Sequence, residues 1–310
     1  MSSSISPPPG FLIGHHTDPV GATGCTAVIA PVGARGGVDV RGGGPGTRET
    51  DAIGPYSATD QITAVMLCGG SAFGLAAADG AVRWCEENGR GYPTPAGPVP
   101  IVPAAVIFDL ATGDPPGRPG PEAGYDACRA AIEGIPSTGA VGVGTGATVG
   151  KILGMERCTA AGVGYAAART GLGSTVAAIA VANAFGDVIG ADGGVLAGPH
   201  DEDGALLRTS ELVAAMDTPP DWNATSERNT TLVCLMTDAA LDKPGCARVA
   251  RMASGGLARA IDPVYSDVDG DTVFCLASGT GTPERFGTIA VGTVAATVTA
   301  AALRATVESG

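Results

Sequence analysis

An asparagine followed by two threonines opens an apolar run at residues 229 to 236, NTTLVCLM. A threonine hydroxyl at that place can act as a nucleophile if the bond before it is cut. The freed α-amine, with an unperturbed pKa of about 8, is partly neutral at neutral pH and can serve as base for its own hydroxyl. To expose that amine the chain would have to cleave itself between Asn229 and Thr230. The Thr230 hydroxyl would attack the Asn229 carbonyl, the acyl group would move from nitrogen to oxygen, and water would release the ester. Such a sequence of steps needs groups that position the hydroxyl and stabilise an oxyanion. The same residues also have a plain reading, in which Asn229 closes a turn and the threonines are ordinary strand formers.

Other chemistry has poorer material. His15 and His16 stand near the N-terminus and His200 in a polar loop, and these three are all the histidines, so a Ser-His-Asp relay is hard to assemble. GVGTGATVGK is no Walker A loop, because Thr145 and Ile152 occupy defining positions, and Val149 stands where a dinucleotide motif wants its third glycine. GGSAFG falls short of a nucleophile elbow at Phe73, and DVDGDT falls short of a calcium loop at Thr272 and Ser278. Two carboxylates, Asp269 and Asp271, flank Gly270 just ahead of the apolar segment TVFCLAS. They either serve a site or form a tight turn. As exposed turn residues they would tolerate replacement with folding nearly intact.

The elements that must position these groups follow from hydrophobic periodicity. Thr230 begins a short buried strand, a helix runs from about Lys243 to Ile261, and a second strand begins at Thr272. As a parallel βαβ unit, both strands would start at one sheet edge, bringing Asp269 and Asp271 near Thr230 to orient its hydroxyl and ammonium. QITAVMLCGGSAFGLAAADGAVRWCEENG reads as strand, glycine turn and helix. STVAAIAVANAFGDVIG reads as a buried strand ending near Asn183, a turn at Phe185-Gly186 and a return strand. Residues 196 to 229 are polar and read as a surface linker. Phe286 to Leu303 is uncharged but carries four threonines and two glycines, too polar for a bilayer span and better read as a buried helix.

Composition narrows the classes. A chain of 310 residues buries roughly 75% of its unfolded surface and needs no metal or disulfide to hold a core. With 18 basic against 31 acidic residues the net charge is −13, which argues against nucleic acid and anionic membranes as partners. Eight cysteines without a CxxC pair, mostly inside apolar runs, read as reduced core residues of a cytoplasmic protein. Residues 1–11 read as a flexible leader without signal-peptide character, ahead of one domain over 12–310.

GVDVRGGGPGTRETD, GGSAFGLAAADG, GTGATVGK, NAFGD, NTT and DGDTVF, in this order, resemble the DmpA-like L-aminopeptidase/D-esterase peptidases, in the branch that includes the nylon-oligomer hydrolase. The resemblance runs from about residue 12 to 305. It implies an α/β fold: a four-layer α-β-β-α sandwich like that of N-terminal-nucleophile hydrolases, differently connected. It also implies self-cleavage into α (1–229) and β (230–310) chains that stay associated, and a tetramer-like homo-oligomer. Thr230 falls on the nucleophile and Asn229 on the cleaved side; Lys151 falls on the lysine of the glycine-rich stretch. Asn183 of NAFGD falls on an oxyanion donor, and Asp269 and Asp271 on the paired aspartates. The serine-nucleophile branch differs in having serine at 230 and tyrosine near 151. No metal or organic cofactor is implied. The expected activity is an aminopeptidase or amidase acting on short peptides or amides, amide oligomers included. The alternatives are an acyltransferase of ornithine acetyltransferase-like fold and an uncleaved protein that binds a small ligand.

Overall fold

The computed structural model describes residues 4–218, 229–281 and 287–308. Ten strands and four helices build its frame. In chain order these are β1 (Leu12–Asp18), β2 (Thr23–Ile29), β3 (Arg35–Val40), β4 (Thr47–Arg48), β5 (Ala64–Cys68), α1 (Ala77–Glu87), β6 (Ala104–Val106) and α2 (Pro121–Arg129). They continue with β7 (Val163–Arg169), β8 (Thr175–Asn183), β9 (Thr230–Thr237), α3 (Lys243–Leu257), β10 (Thr272–Ala277) and α4 (Gly287–Arg304). One sheet runs β1-β2-β5-β6-β4 and the other β7-β8-β9-β10-β3.

Alternation of side chains along each strand divides the core into three layers. From β9, Leu232, Cys234 and Met236 join Ile179, Phe274 and Leu276 against Val65, Leu67 and Ile107 of the first sheet. Their neighbours Val233 and Leu235 turn the other way, onto Val249 and Leu257 of α3 and Val291 and Leu303 of α4. The outer face of the first sheet, with Ala27 and Met66, is covered by Ala78 and Cys85 of α1 and Ala127 of α2. The layers are therefore α-β-β-α, as expected.

The expected βαβ unit is present. β9 and β10 pair in parallel with Leu232 opposite Thr272, joined by α3. Asp242 caps α3 by accepting from the Gly245 N–H at 2.7 Å, and Pro244 sits in the first turn where its missing N–H costs nothing. β8 lies on the other side of β9, antiparallel, with Asn183 opposite Thr230.

Four expectations need correction. The strand after Phe185-Gly186, Asp187–Ile189, does not return onto β8, because β7 and β9 already occupy both its edges. It pairs instead with Val195–Ala197 and Ile261–Asp262 in a small separate sheet. The polar stretch from 196 is ordered through 218: a short helix, Thr209–Ala214, is fastened where buried Asp187 accepts from the Thr209 N–H at 2.7 Å and from its hydroxyl. The remainder of that linker, 219–228, lies outside the described residues. The end of the leader is tied down rather than free, with Phe11 buried and the Ile5 carbonyl accepting from the Tyr165 hydroxyl at 2.8 Å. Finally, α4 is long and apolar enough to cross a membrane, with a mean hydropathy of 1.3 over 18 residues. Packing rather than polarity makes it a core helix: Val291, Ala295, Val298 and Leu303 are buried in the layer shared with α3 and β8.

Candidate active site

Where β9 and β10 begin, an isolated parallel bridge sets Asn229, one residue before β9, opposite Asp269, three residues before β10. Asn229 donates its N–H to the Val268 carbonyl at 2.9 Å, and its own carbonyl accepts from the Gly270 N–H at 2.8 Å. The Thr230 hydroxyl is hydrogen-bonded to that same Asn229 carbonyl oxygen. Hydroxyl, carbonyl and N–H donor thus share one buried corner. Glycine leaves this corner open at 270, where a Cβ would lie 2.8 Å from the Thr230 Oγ1. The run that crosses from β3 to β4, RGGGPG, packs against this corner from outside. Gly44 donates to the Asp269 carbonyl at 2.8 Å, and a Cβ on Gly42 would lie 2.1 Å from that oxygen.

Both aspartates reach the site, though not as expected. One Asp271 oxygen accepts from the Thr231 N–H at 2.7 Å and the other from the Tyr265 N–H at 3.0 Å. Asp269 accepts from the Phe185 N–H at 3.2 Å and from the Ser266 hydroxyl. Their oxygens therefore hold the backbone around Thr230, and their effect on its hydroxyl is indirect. Both are buried rather than exposed turn residues. Burial, then the neighbouring Asp269 charge, pushes the Asp271 carboxyl up to about 7. Burial also raises Asp269, opposed by its hydrogen bonds and by the Lys151 ammonium.

Asn183 and Lys151 come together opposite Thr230. Alternation on β8 turns Asn183 into the space between the sheets, alongside Ile179 and Val181. Its Oδ1 accepts from Lys151 Nζ at 2.9 Å and from the Thr148 N–H at 3.1 Å, while its Nδ2 donates to the Phe108 carbonyl at 3.0 Å. Lys151 Nζ also reaches the Asn183 main-chain oxygen at 3.2 Å. These contacts fix which end of the amide is donor, and one Nδ2 hydrogen is used by the Phe108 carbonyl.

The Gly270 N–H is a group the residue patterns did not single out, although the βαβ register places it beside the Asn229 carbonyl. A cavity of about 320 Å³ opens at Thr230, walled by Gly44, Pro45 and Gly46, by Ser71 and Ala72, and by Val106 to Phe108. The histidines are engaged elsewhere: His15 with Thr26, His16 with Asp126 and His200 with Thr159. Among the described residues there is no group of three or more His, Cys, Asp or Glu that could hold a metal ion.

Comparison with known proteins finds relatives over most of the chain. An uncharacterised aminopeptidase of Mycobacterium tuberculosis is 42% identical over 297 residues, covering 89% of this chain and 82% of its own. A 6-aminohexanoate-oligomer endohydrolase of a Kocuria species is 29% identical over 274 residues, covering 87% and 73%. The L-aminopeptidase D-Ala-esterase/amidase of Ochrobactrum anthropi, described as a variant of the Ntn hydrolase fold, superposes with a TM-score of 0.68 at 18% identity, covering 98% of this chain and 87% of its own. The model of peptidase family S58 matches residues 4–309, and to that family the chain belongs.

Proposed function

We propose that the chain cuts itself between Asn229 and Thr230 and then uses Thr230 as the N-terminal nucleophile of an amidohydrolase acting on short peptides or amides. The observation that carries this reading is the Thr230 hydroxyl resting on the Asn229 carbonyl while the Gly270 N–H donates to the same oxygen. In maturation, Oγ1 forms a bond to the Asn229 carbonyl carbon, and the negative oxygen is held by the Gly270 N–H. The C–N bond then breaks and its nitrogen, taking up the proton that Oγ1 gave away, leaves as the amine of Thr230. Water hydrolyses the resulting ester, returning the hydroxyl and leaving Asn229 as a carboxylate.

In turnover the freed amine takes the proton of Oγ1 as the hydroxyl attacks a substrate amide, passes it to the nitrogen that departs as the substrate C–N bond breaks, and water later hydrolyses the acyl ester. Asn183, oriented by Lys151, is the second oxyanion donor. Asp269 and Asp271 keep the Thr230 backbone in register with β10. Amides built from ω-amino acids fall within the substrate class because relatives at 29% identity are named 6-aminohexanoate-oligomer endohydrolases.

Intact-mass measurement tests the reading. Wild type should give fragments of 229 and 81 residues that co-purify, and Thr230→Ala a single inactive chain of 310 residues. Thr230→Ser, which keeps the attacking oxygen, should mature at least in part. An uncut wild-type chain with full hydrolytic activity would overturn the mechanism.

A further inference from the structure

We propose that Ser71 binds the substrate directly, its hydroxyl holding an amide of an uncharged acyl segment in the cavity beside Thr230. The proposal rests on Thr230 being the nucleophile. GGSAFG fails as a nucleophile elbow, yet the fold places its serine in the wall of the cavity that Thr230 opens into. Ser71 has a φ of +54°, in the left-handed region that glycine adopts freely and residues with a Cβ adopt seldom. A glycine would therefore suit that backbone better. A polar residue held at a positive φ in the wall of this cavity points to work done by its side chain.

The surroundings keep that strain in place. The Gly70 N–H donates to Asp109 Oδ1 at 2.6 Å, while Asp109 Oδ2 accepts from the Thr23 hydroxyl at 2.6 Å. The Ser71 N–H donates to the Ile107 carbonyl at 3.0 Å, and the Arg118 guanidinium lies 3.9 Å from the Phe73 ring centre. The turn is thus clamped from the strand side and from its rim.

The remaining wall identifies the ligand chemistry. Gly44, Pro45, Gly46, Ala72, Val106, Ile107 and Phe108 bring no ionisable side chain, so a charged acyl group entering here would lose water without gaining a partner. An amide offers both a donor and an acceptor, and a serine hydroxyl can satisfy either. The segment that fits is neutral, with an amide adjoining the one to be cut.

Ser71→Ala and Ser71→Gly separate a binding role from a conformational one. The probe is N-acetyl-dialanine p-nitroanilide, compared with alanine p-nitroanilide carrying a free amine. Both variants should raise KM for the acetylated probe about 10-fold with little change in kcat, as for loss of one uncharged hydrogen bond made equally in ground and transition states. If Ser71 served only the turn, Ser71→Gly would keep the wild-type KM, and that result overturns the proposal. So does a wild-type enzyme that turns over the free-amine probe and leaves the acetylated one intact, or a variant that fails to mature. Processing of wild type, scored by mass on the same samples, reports separately on Thr230.

Discussion

The Gly270 N–H and the Asn229 carbonyl oxygen lie 2.8 Å apart, a hydrogen bond between two parallel segments whose strands begin one residue later on one side and two on the other. Its position makes Gly270 sensitive in a way composition alone does not suggest. A methyl at 270 would press on the Thr230 Oγ1 at 2.8 Å and on the Gly44 oxygen at 2.9 Å. Gly270→Ala should fold, yet mature about 10²-fold more slowly, read as a time course of intact mass. Maturation at the wild-type rate would show that the corner accommodates the methyl without displacing the Thr230 hydroxyl.

Asp271→Asn should be costly to folding as well as to maturation. Both carboxylate oxygens accept backbone N–H groups, from Thr231 and Tyr265, so the amide must turn its NH2 toward one of them. The unpaired donor should cost about 1–3 kcal/mol in urea denaturation. Stability equal to wild type would show that the two N–H groups find other acceptors.

Two raised carboxyls set a pH dependence. Asp271 is pushed up to about 7, and Asp187 up to about 6 by burial against the pull of its Thr209 hydrogen bonds. An acid whose folded pKa exceeds its unfolded value of 3.8 contributes fully below that value and loses the contribution as pH rises through the folded one. The contribution of these two groups to stability should therefore decline between about pH 4 and 7. Asp187→Asn isolates one of them, since an amide can accept from the Thr209 N–H and donate to its hydroxyl oxygen. Chemical denaturation of this variant should show a shallower decline over the same range.

Lys151 and Asn183 should behave as one unit. Lys151→Met and Asn183→Ala should each lower kcat by about 10²-fold, and the double variant should be little worse than the poorer single. Fully additive losses would mean that the 2.9 Å contact between them does not orient the amide.

What could be read in advance depended on the range of the interactions. The apolar run Val233 to Met236, the capped helix from Lys243 and the strand from Thr272 are local patterns, and together they bring Asn229 beside Asp269. The partners of the carboxylates come from farther away. Phe185, which donates to Asp269, is 84 residues distant, and only the packing of β8 on β9 brings it there. Asp187 and Thr209 form a comparable link, invisible in a stretch whose polarity suggested a linker. The closeness of the RGGGPG glycines to Asp269 and Asp271 likewise depends on a distant pairing, that of β3 with β10.

The order β8-β9-β10-β3 has a consequence for the lifetime of the molecule. Cleavage before Thr230 would give β9, α3, β10 and α4 to one fragment while β8 and β3, the strands on either side, stayed with the other. A precursor folds as a single chain, at a rate independent of concentration. A matured molecule that unfolds must bring two chains together again, with the inserted pair of strands finding both neighbours at once. Its durability would then rest on slow unfolding rather than on reversible equilibrium, and dilution after denaturation would strand it as separate pieces.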